Sequence, residues 1–396
     1  MHRLVTVACV LLVSTVHTLG YYAGRSQLYT IAMQERGMGY GEISTLYTAQ
    51  ASASILGIFL SIPLAALLGP GAAMAAGLLT YAFGAAVLVG GGASLPLAMG
   101  VCGFGLGLYR PALWAALCRP FGQGWESGRV AAALALYAGV NLVAMPAPAL
   151  GQLLAELLGS TSAMMTSGAL SAAMALVALG PTAFHFASGA PEAEGDDARG
   201  LSLPVLAVAG GTALVAGLGI VGNSIATDLQ LQALYSSGRS DLDWLNFANP
   251  VVVLLACAAG VIVLGAAQFT SLRVPSLALV GAGLVLSALA LFPSGVVVEG
   301  GLAAALGVTV VGALGEAFIF APAFARACGE VHWRASIVPA AALALASTVP
   351  SVFSGFTSFL GGWGATGLAV VPLLAGMACL AAAWPVKRML EAGEDE

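Results

Sequence analysis

Residues 94–119 read Ser94-LPLAMGVCGFGLGLYRPALWAALC-Arg119, a run whose one internal charge is Arg110. At about 1.5 Å per residue, a helix of this length exceeds the roughly 30 Å hydrocarbon core of a bilayer. Similar apolar runs recur along all 396 residues, and the mean hydropathy is +0.96. Only 8% of residues are charged, about a third of what a soluble domain uses to cover its surface. The outer surface therefore faces lipid. Strand-like alternation is absent, which argues against a β-barrel, and the 52 glycines suit helices that approach closely in lipid.

The expected spans are 3–30, 42–68, 71–91, 94–119, 129–156, 161–184, 203–234, 245–268, 274–294, 299–327, 335–360 and 364–386. Connections such as Leu68-Gly-Pro-Gly71 and Gly361-Gly-Trp-Gly364 leave little room for extramembrane domains. The longest polar break, Ser188–Gly200, holds Pro191, four acidic residues and Arg199. It separates six spans from six. The reading is thus an all-α membrane protein with twelve transmembrane helices in two six-helix halves. Residues 1–186 form the first half, 187–202 a cytoplasmic linker, and 203–396 the second half with a short tail. This layout resembles the major facilitator fold.

Basic residues test the count. With the N-terminus inside, the cytoplasmic ends hold Arg3, Arg119, Arg129, Arg199, Arg273, Arg326, Arg334, Lys387 and Arg388, and the outer loops only Arg36 and Arg239. That segregation obeys the positive-inside rule. It places the chain in the cell's inner (plasma) membrane with both termini cytoplasmic, and a monomer is expected. The N-terminal run continues through Tyr21 and Tyr22 without a small-residue cleavage site, so it reads as the first span. Cys9, Cys102, Cys118, Cys257, Cys328 and Cys379 stand singly in apolar runs. Without metal-ligand or CxxC spacing they read as small hydrophobes, so no metal and no cofactor is expected. With no basic patch, nucleic acid is not a partner.

Arg25 and Arg110 remain, each mid-span. An arginine at bilayer centre costs about 2.5–3.5 kcal/mol on insertion scales, so each needs an interface to snorkel to or a polar cavity. His17, Tyr21 and Arg25 follow i, i+4, i+8 and share one helix face, with Tyr22 on its flank. Such a stripe faces the bundle interior rather than lipid. In the second half Glu316 lies in Gly315-Glu-Ala-Phe-Ile-Phe-Ala-Pro322, either paired with an arginine or in a functional site. Guanidinium groups from one half and a carboxylate from the other suit a dipolar solute bearing a carboxylate and an amine.

At these residues the chain resembles the proton-coupled oligopeptide transporter family, as a divergent member. Tyr21-Tyr-Ala-Gly-Arg-Ser-Gln-Leu28 is similar to its YYxxR segment, and Gly105-Leu-Gly-Leu-Tyr-Arg-Pro111 to its GxGxxKP, with Arg110 at the lysine position. Tyr137-Ala-Gly-Val-Asn-Leu142 with Pro148 and Gly151, Leu245-Asn-Phe-Ala-Asn-Pro250, and Gly315-Glu316 with Ala321-Pro322 resemble the fifth-, eighth- and tenth-helix motifs. The resemblance implies that Arg25 and Arg110 hold a substrate carboxylate and Glu316 its amino group. It implies that Asn141 and Asn249 hold the peptide backbone, with Tyr21 and Tyr22 lining the pocket. An asparagine can do this because it both donates and accepts, and either could instead only join helices.

The departures concern coupling. Where the family carries ExxER this chain has Ser14, His17 and Thr18, and the seventh-helix acidic position falls on Asn223, with Asp228 four residues later. Gly57-Ile-Phe-Leu-Ser-Ile-Pro63 has no charge, and two extra helices common in bacterial members are absent. The titratable candidates for proton coupling are His17, Asp228 and Glu316. Repulsion from Arg25 disfavours a second cation at His17, so a carboxylate is the expected carrier. The reading is a secondary active transporter for a small zwitterion, peptide or peptide-like, working by alternating access. Alternatives are an exporter of drug-like amphiphiles, for which Trp114, Phe318 and Phe320 would matter, and a non-transporting sensor or assembly factor. No Ser/His/Asp set, metal cluster or phosphate loop suggests an enzyme.

Overall fold

The computed structural model describes residues 2–32, 37–38, 40–90, 95–121, 126–188, 211, 216–217, 245–267, 276–292, 297–329, 336–353 and 361–392. Long apolar segments rich in Ala and Leu form helices here because a helix satisfies every backbone group internally, which lipid cannot do. They are α1 (His2–Thr30), α2 (Tyr40–Leu68), α3 (Pro70–Gly90), α4 (Leu95–Cys118), α5 (Glu126–Ala144), α6 (Ala147–Leu158) and α7 (Ser162–Ser188). Then follow α8 (Leu245–Ala267), α9 (Ser276–Leu291), α10 (Val297–Gly329), α11 (Ile337–Phe353) and α12 (Gly361–Ala392). Among the described residues, seven stretches are long and apolar enough to cross a membrane, and four shorter apolar helices accompany them. Of the expected span 203–234 only residues 211 and 216–217 are described, and Asn223 and Asp228 lie outside the described residues.

One expected span is not a single helix. The 129–156 segment is divided at Met145-Pro146 into α5 and α6. Pro146 has no N–H to give the turn before it, and its ring crowds the preceding carbonyl. Its φ of −80° and ψ of −14° suit a helix start, and its own carbonyl accepts from Leu150 N at 3.0 Å.

Polarity runs inside out relative to a soluble protein. Leu67 is 81% exposed and Leu176 73% exposed, while His17, Gln27, Ser54, Ser61, Ser167 and Ser171 are buried. Apolar side chains cost nothing against acyl chains, whereas unpartnered polar groups there do.

The chain forms two compact units: Met1–Gly124 with Gly139–Leu206 and Cys328–Val352, and Trp125–Ala138 with Ala207–Ala327 and Phe353–Glu396. In the first unit α4 packs against α2 and α3, α3 also against α7, and α1 against α6 and α7. Small residues allow these crossings. A methyl on Gly77 would stand 2.6 Å from the Tyr109 backbone nitrogen, and one on Gly103 would meet the Gln50 carbonyl. Ile58 of α2 packs on Ala341 and Ala344 of α11. In the second unit α9 packs on α12, where a methyl on Gly281 would come within 2.9 Å of the Gly376 oxygen. Ala290, Ala305 and Val308 close the α9–α10 contact.

Candidate functional site

In the first unit, α1 is drawn onto α7 because Gly20 and Gly24, one turn apart, face Ser167. A methyl at either would lie 3.1 Å from that residue. This approach places the His17, Tyr21, Arg25 stripe among α3, α4 and α7. The stripe then divides by environment. His17 is buried, its Nδ1 2.8 Å from Ser171 Oγ. Tyr21 is half-buried, tilted against His17 at 6.3 Å and edge-on to Tyr22 at 5.2 Å. Arg25 is exposed, its guanidinium carbon 5.0 Å over the ring of Tyr47. A guanidinium over a ring face gains from the ring quadrupole.

Arg25 and Tyr21 line one cleft with Gln50, Tyr81, Met99 and Cys102. Its chemistry is mixed: one cation, phenols and an amide that hydrogen-bond, and thioether and thiol surfaces that favour apolar groups. The space among these groups is about 10 Å³, room for a water-sized group, with Arg25 as its one charge. Gln50, Tyr81 and Tyr47 were not singled out in the sequence. A glutamine and two tyrosines inside otherwise apolar spans are the signal that could have found them. Arg110 is half-buried on α4, directly after buried Tyr109, and Asn141 is half-buried on α5. Neither lines this cleft. Trp114 is buried.

In the second unit Glu316 is half-buried on α10, and the hydroxyl of Tyr137 from α5 donates a hydrogen bond to its Oε1. Tyr137 stacks on Phe320, one helical turn beyond Glu316, with ring centroids 5.1 Å apart and planes 4° from parallel. The phenol orients the carboxylate. The sequence motif contained Tyr137, but only the fold shows its hydroxyl on Glu316. Asn249 is half-buried on α8, its Oδ1 enclosed without a hydrogen-bond partner among the described residues. A buried acceptor left unmade is costly.

No protein-family model and no curated protein matches the sequence. Solved structures do. The transporter FucP of the major facilitator superfamily, in its outward conformation, is similar with a TM-score of 0.69 at 14% identity, over 97% of this chain and 99% of that one. The POT family transporter PepTSo gives 0.58 at 14% identity, over 97% and 98%. An auto-inhibited POT family peptide transporter gives 0.52 at 17% identity, over 96% and 95%. Nearly the whole length of each chain takes part, and this chain has the fold of the major facilitator superfamily transporters.

Proposed function

We propose that the protein is a secondary active transporter of a small zwitterionic solute, a short peptide or peptide-like compound, working through twelve spans in two six-helix halves. The observation that carries the reading is Arg25: a mid-span guanidinium, exposed and lining an aromatic cleft. A charge kept at membrane depth is costly, and one open to a ligand supplies bidentate recognition of a carboxylate. Arg110 assists with the carboxylate, and Asn141 and Asn249 with the backbone amides. Glu316, held by Tyr137, takes the ammonium group or a proton, with Asp228 the other candidate carrier. Tyr21 and Tyr22 supply the wall.

Uptake of labelled dialanine into proteoliposomes tests the second charge. Glu316→Gln keeps size and one hydrogen bond but removes the charge, so uptake should fall by about tenfold, the loss of one charge-assisted bond. N-acetyl-dialanine, which has no ammonium group, should be unaffected. Equal losses for both solutes would remove Glu316 from amine recognition. An inward pH gradient should accelerate uptake in the unmodified protein and not in Glu316→Gln or Asp228→Asn, while His17→Asn keeps the acceleration. Indifference of the unmodified protein to the gradient would leave a uniporter or another coupling ion.

A second reading draws on one feature. Met99 and Met164 line the same cleft as Tyr21 and Tyr81, and thioether and aromatic surfaces suit amphiphilic compounds. Export of an anionic amphiphile that competes with dialanine would favour it.

A further inference from the structure

Behind the Arg25 cleft, and reaching it only through Tyr81, five buried polar side chains from four helices converge. His17 comes from α1, Tyr81 from α3, Tyr109 from α4, and Ser167 and Ser171 from α7; none is more than 4% exposed. Tyr81 and Ser167 share a hydrogen bond of 2.9 Å between their hydroxyls. The His17 ring meets Tyr81 edge-on at 5.1 Å and 89°, and Tyr109 at 4.7 Å and 64°.

The tautomer of the histidine is tied to where Ser171 sends its proton. A serine hydroxyl has one proton to donate. That of Ser171 goes to the Ser167 carbonyl oxygen, 2.8 Å away. With the proton placed there, the serine oxygen accepts and the nitrogen donates in the 2.8 Å contact between Ser171 Oγ and His17 Nδ1. A neutral imidazole carries one N–H, so Nε2 is bare. The ring is held in one orientation by a partner on α7, and α7 can reach it only because Gly20 and Gly24 let the helices close.

We propose that His17 is a positioning residue for the Arg25 cleft. Its Nδ1–H, donated to Ser171, locks the ring against Tyr81 and Tyr21, and these two phenols form the cleft wall beside Arg25. The proposal rests on reading that cleft as the carboxylate site. It goes beyond that reading by assigning a residue that touches no ligand, a proton position and a helix partner. Ser167 completes the device, because it holds Tyr81 through its side chain and Ser171 through its carbonyl.

Two amide replacements separate the two ring nitrogens. An asparagine places its N–H₂ near the site of Nδ1, and a glutamine places it near that of Nε2. With full-length protein in nanodiscs, dialanine binding in His17→Asn should stay within about twofold of the unmodified protein, whereas His17→Gln and Ser171→Ala weaken it about five- to tenfold. Binding of dialanine amide, which has no carboxylate, should change little. Nitrogen-15 spectra of the unmodified protein, with His17 assigned by its disappearance in His17→Asn, should show a protonated Nδ1 and a bare Nε2. A proton on Nε2 would overturn the proposal, and that measurement needs neither ligand nor variant binding. So would lower melting temperatures in His17→Gln and Ser171→Ala with unchanged dialanine affinity, since a residue that only packs helices would give that. If instead the unmodified protein binds dialanine and its amide alike, the carboxylate reading of the cleft fails first, and the positioning role falls with it.

Discussion

Replacing Arg25 by alanine should weaken binding of dialanine about tenfold to a hundredfold, the worth of one or two hydrogen bonds to a charged group at about 1.5–3 kcal/mol in all. Arg25 is exposed, lines the cleft and rests on Tyr47 at 5.0 Å. Truncation thus removes a ligand-facing cation without opening a hole in the core. Arg25→Lys keeps the charge but loses the planar fork and most of the stacking on Tyr47, so an intermediate loss is expected. Calorimetric titration with dialanine and with dialanine amide separates recognition from general damage. The loss should appear for the carboxylate and be nearly absent for the amide. A melting temperature close to that of the unmodified protein should accompany it.

The second large effect is structural and has an internal control on the same helix. Gly100, Gly103 and Gly107 all lie on α4. A methyl at Gly100 meets only the Ala53 Cβ at 3.9 Å, ordinary contact. One at Gly103 would collide with the Gln50 carbonyl, with the Gln50 Cα at 2.8 Å. At Gly107 it would collide with the Ser54 carbonyl, 2.9 Å from the Gly57 Cα. Backbone cannot swing aside as a flexible side chain does. Gly103→Ala and Gly107→Ala should each cost about 1–3 kcal/mol by overpacking, read as a melting temperature several degrees lower in detergent. Gly100→Ala should be neutral or stabilising by up to about 1 kcal/mol, because alanine is the better helix former. Equal behaviour of the three would mean that α2 and α4 do not cross where the structure has them.

Hydropathy and the placement of charges made α1 to α4 and α7 legible to within a few residues. The division of α5 from α6 was not, because a hydropathy window sees Pro146 as one more residue and not as a missing donor. The helical spacing put His17, Tyr21 and Arg25 on one face. Which of them is buried depends on the neighbours, and it is α3, α4 and α7 that cover His17 and leave Arg25 open. Ser167 and Ser171 escaped notice because serines in small-residue helices look like packing residues. Their i, i+4 spacing, which places both on one face of α7, was the only trace. Tyr137 stood inside a motif, but no one-dimensional pattern shows that its hydroxyl reaches Glu316, 179 residues on.

Counterflow tests the central claim most directly. Proteoliposomes loaded with unlabelled dialanine and diluted into a trace of labelled dialanine should accumulate label transiently above the external concentration, and those carrying Arg25→Ala should not. Transient overshoot without a pH gradient or ATP is the signature of a carrier whose loaded site alternates between the two sides. Label entering no faster than into protein-free liposomes, for dialanine and for a panel of other zwitterions and amphiphiles, would contradict the account and leave a membrane protein that uses a transporter's fold for something other than transport.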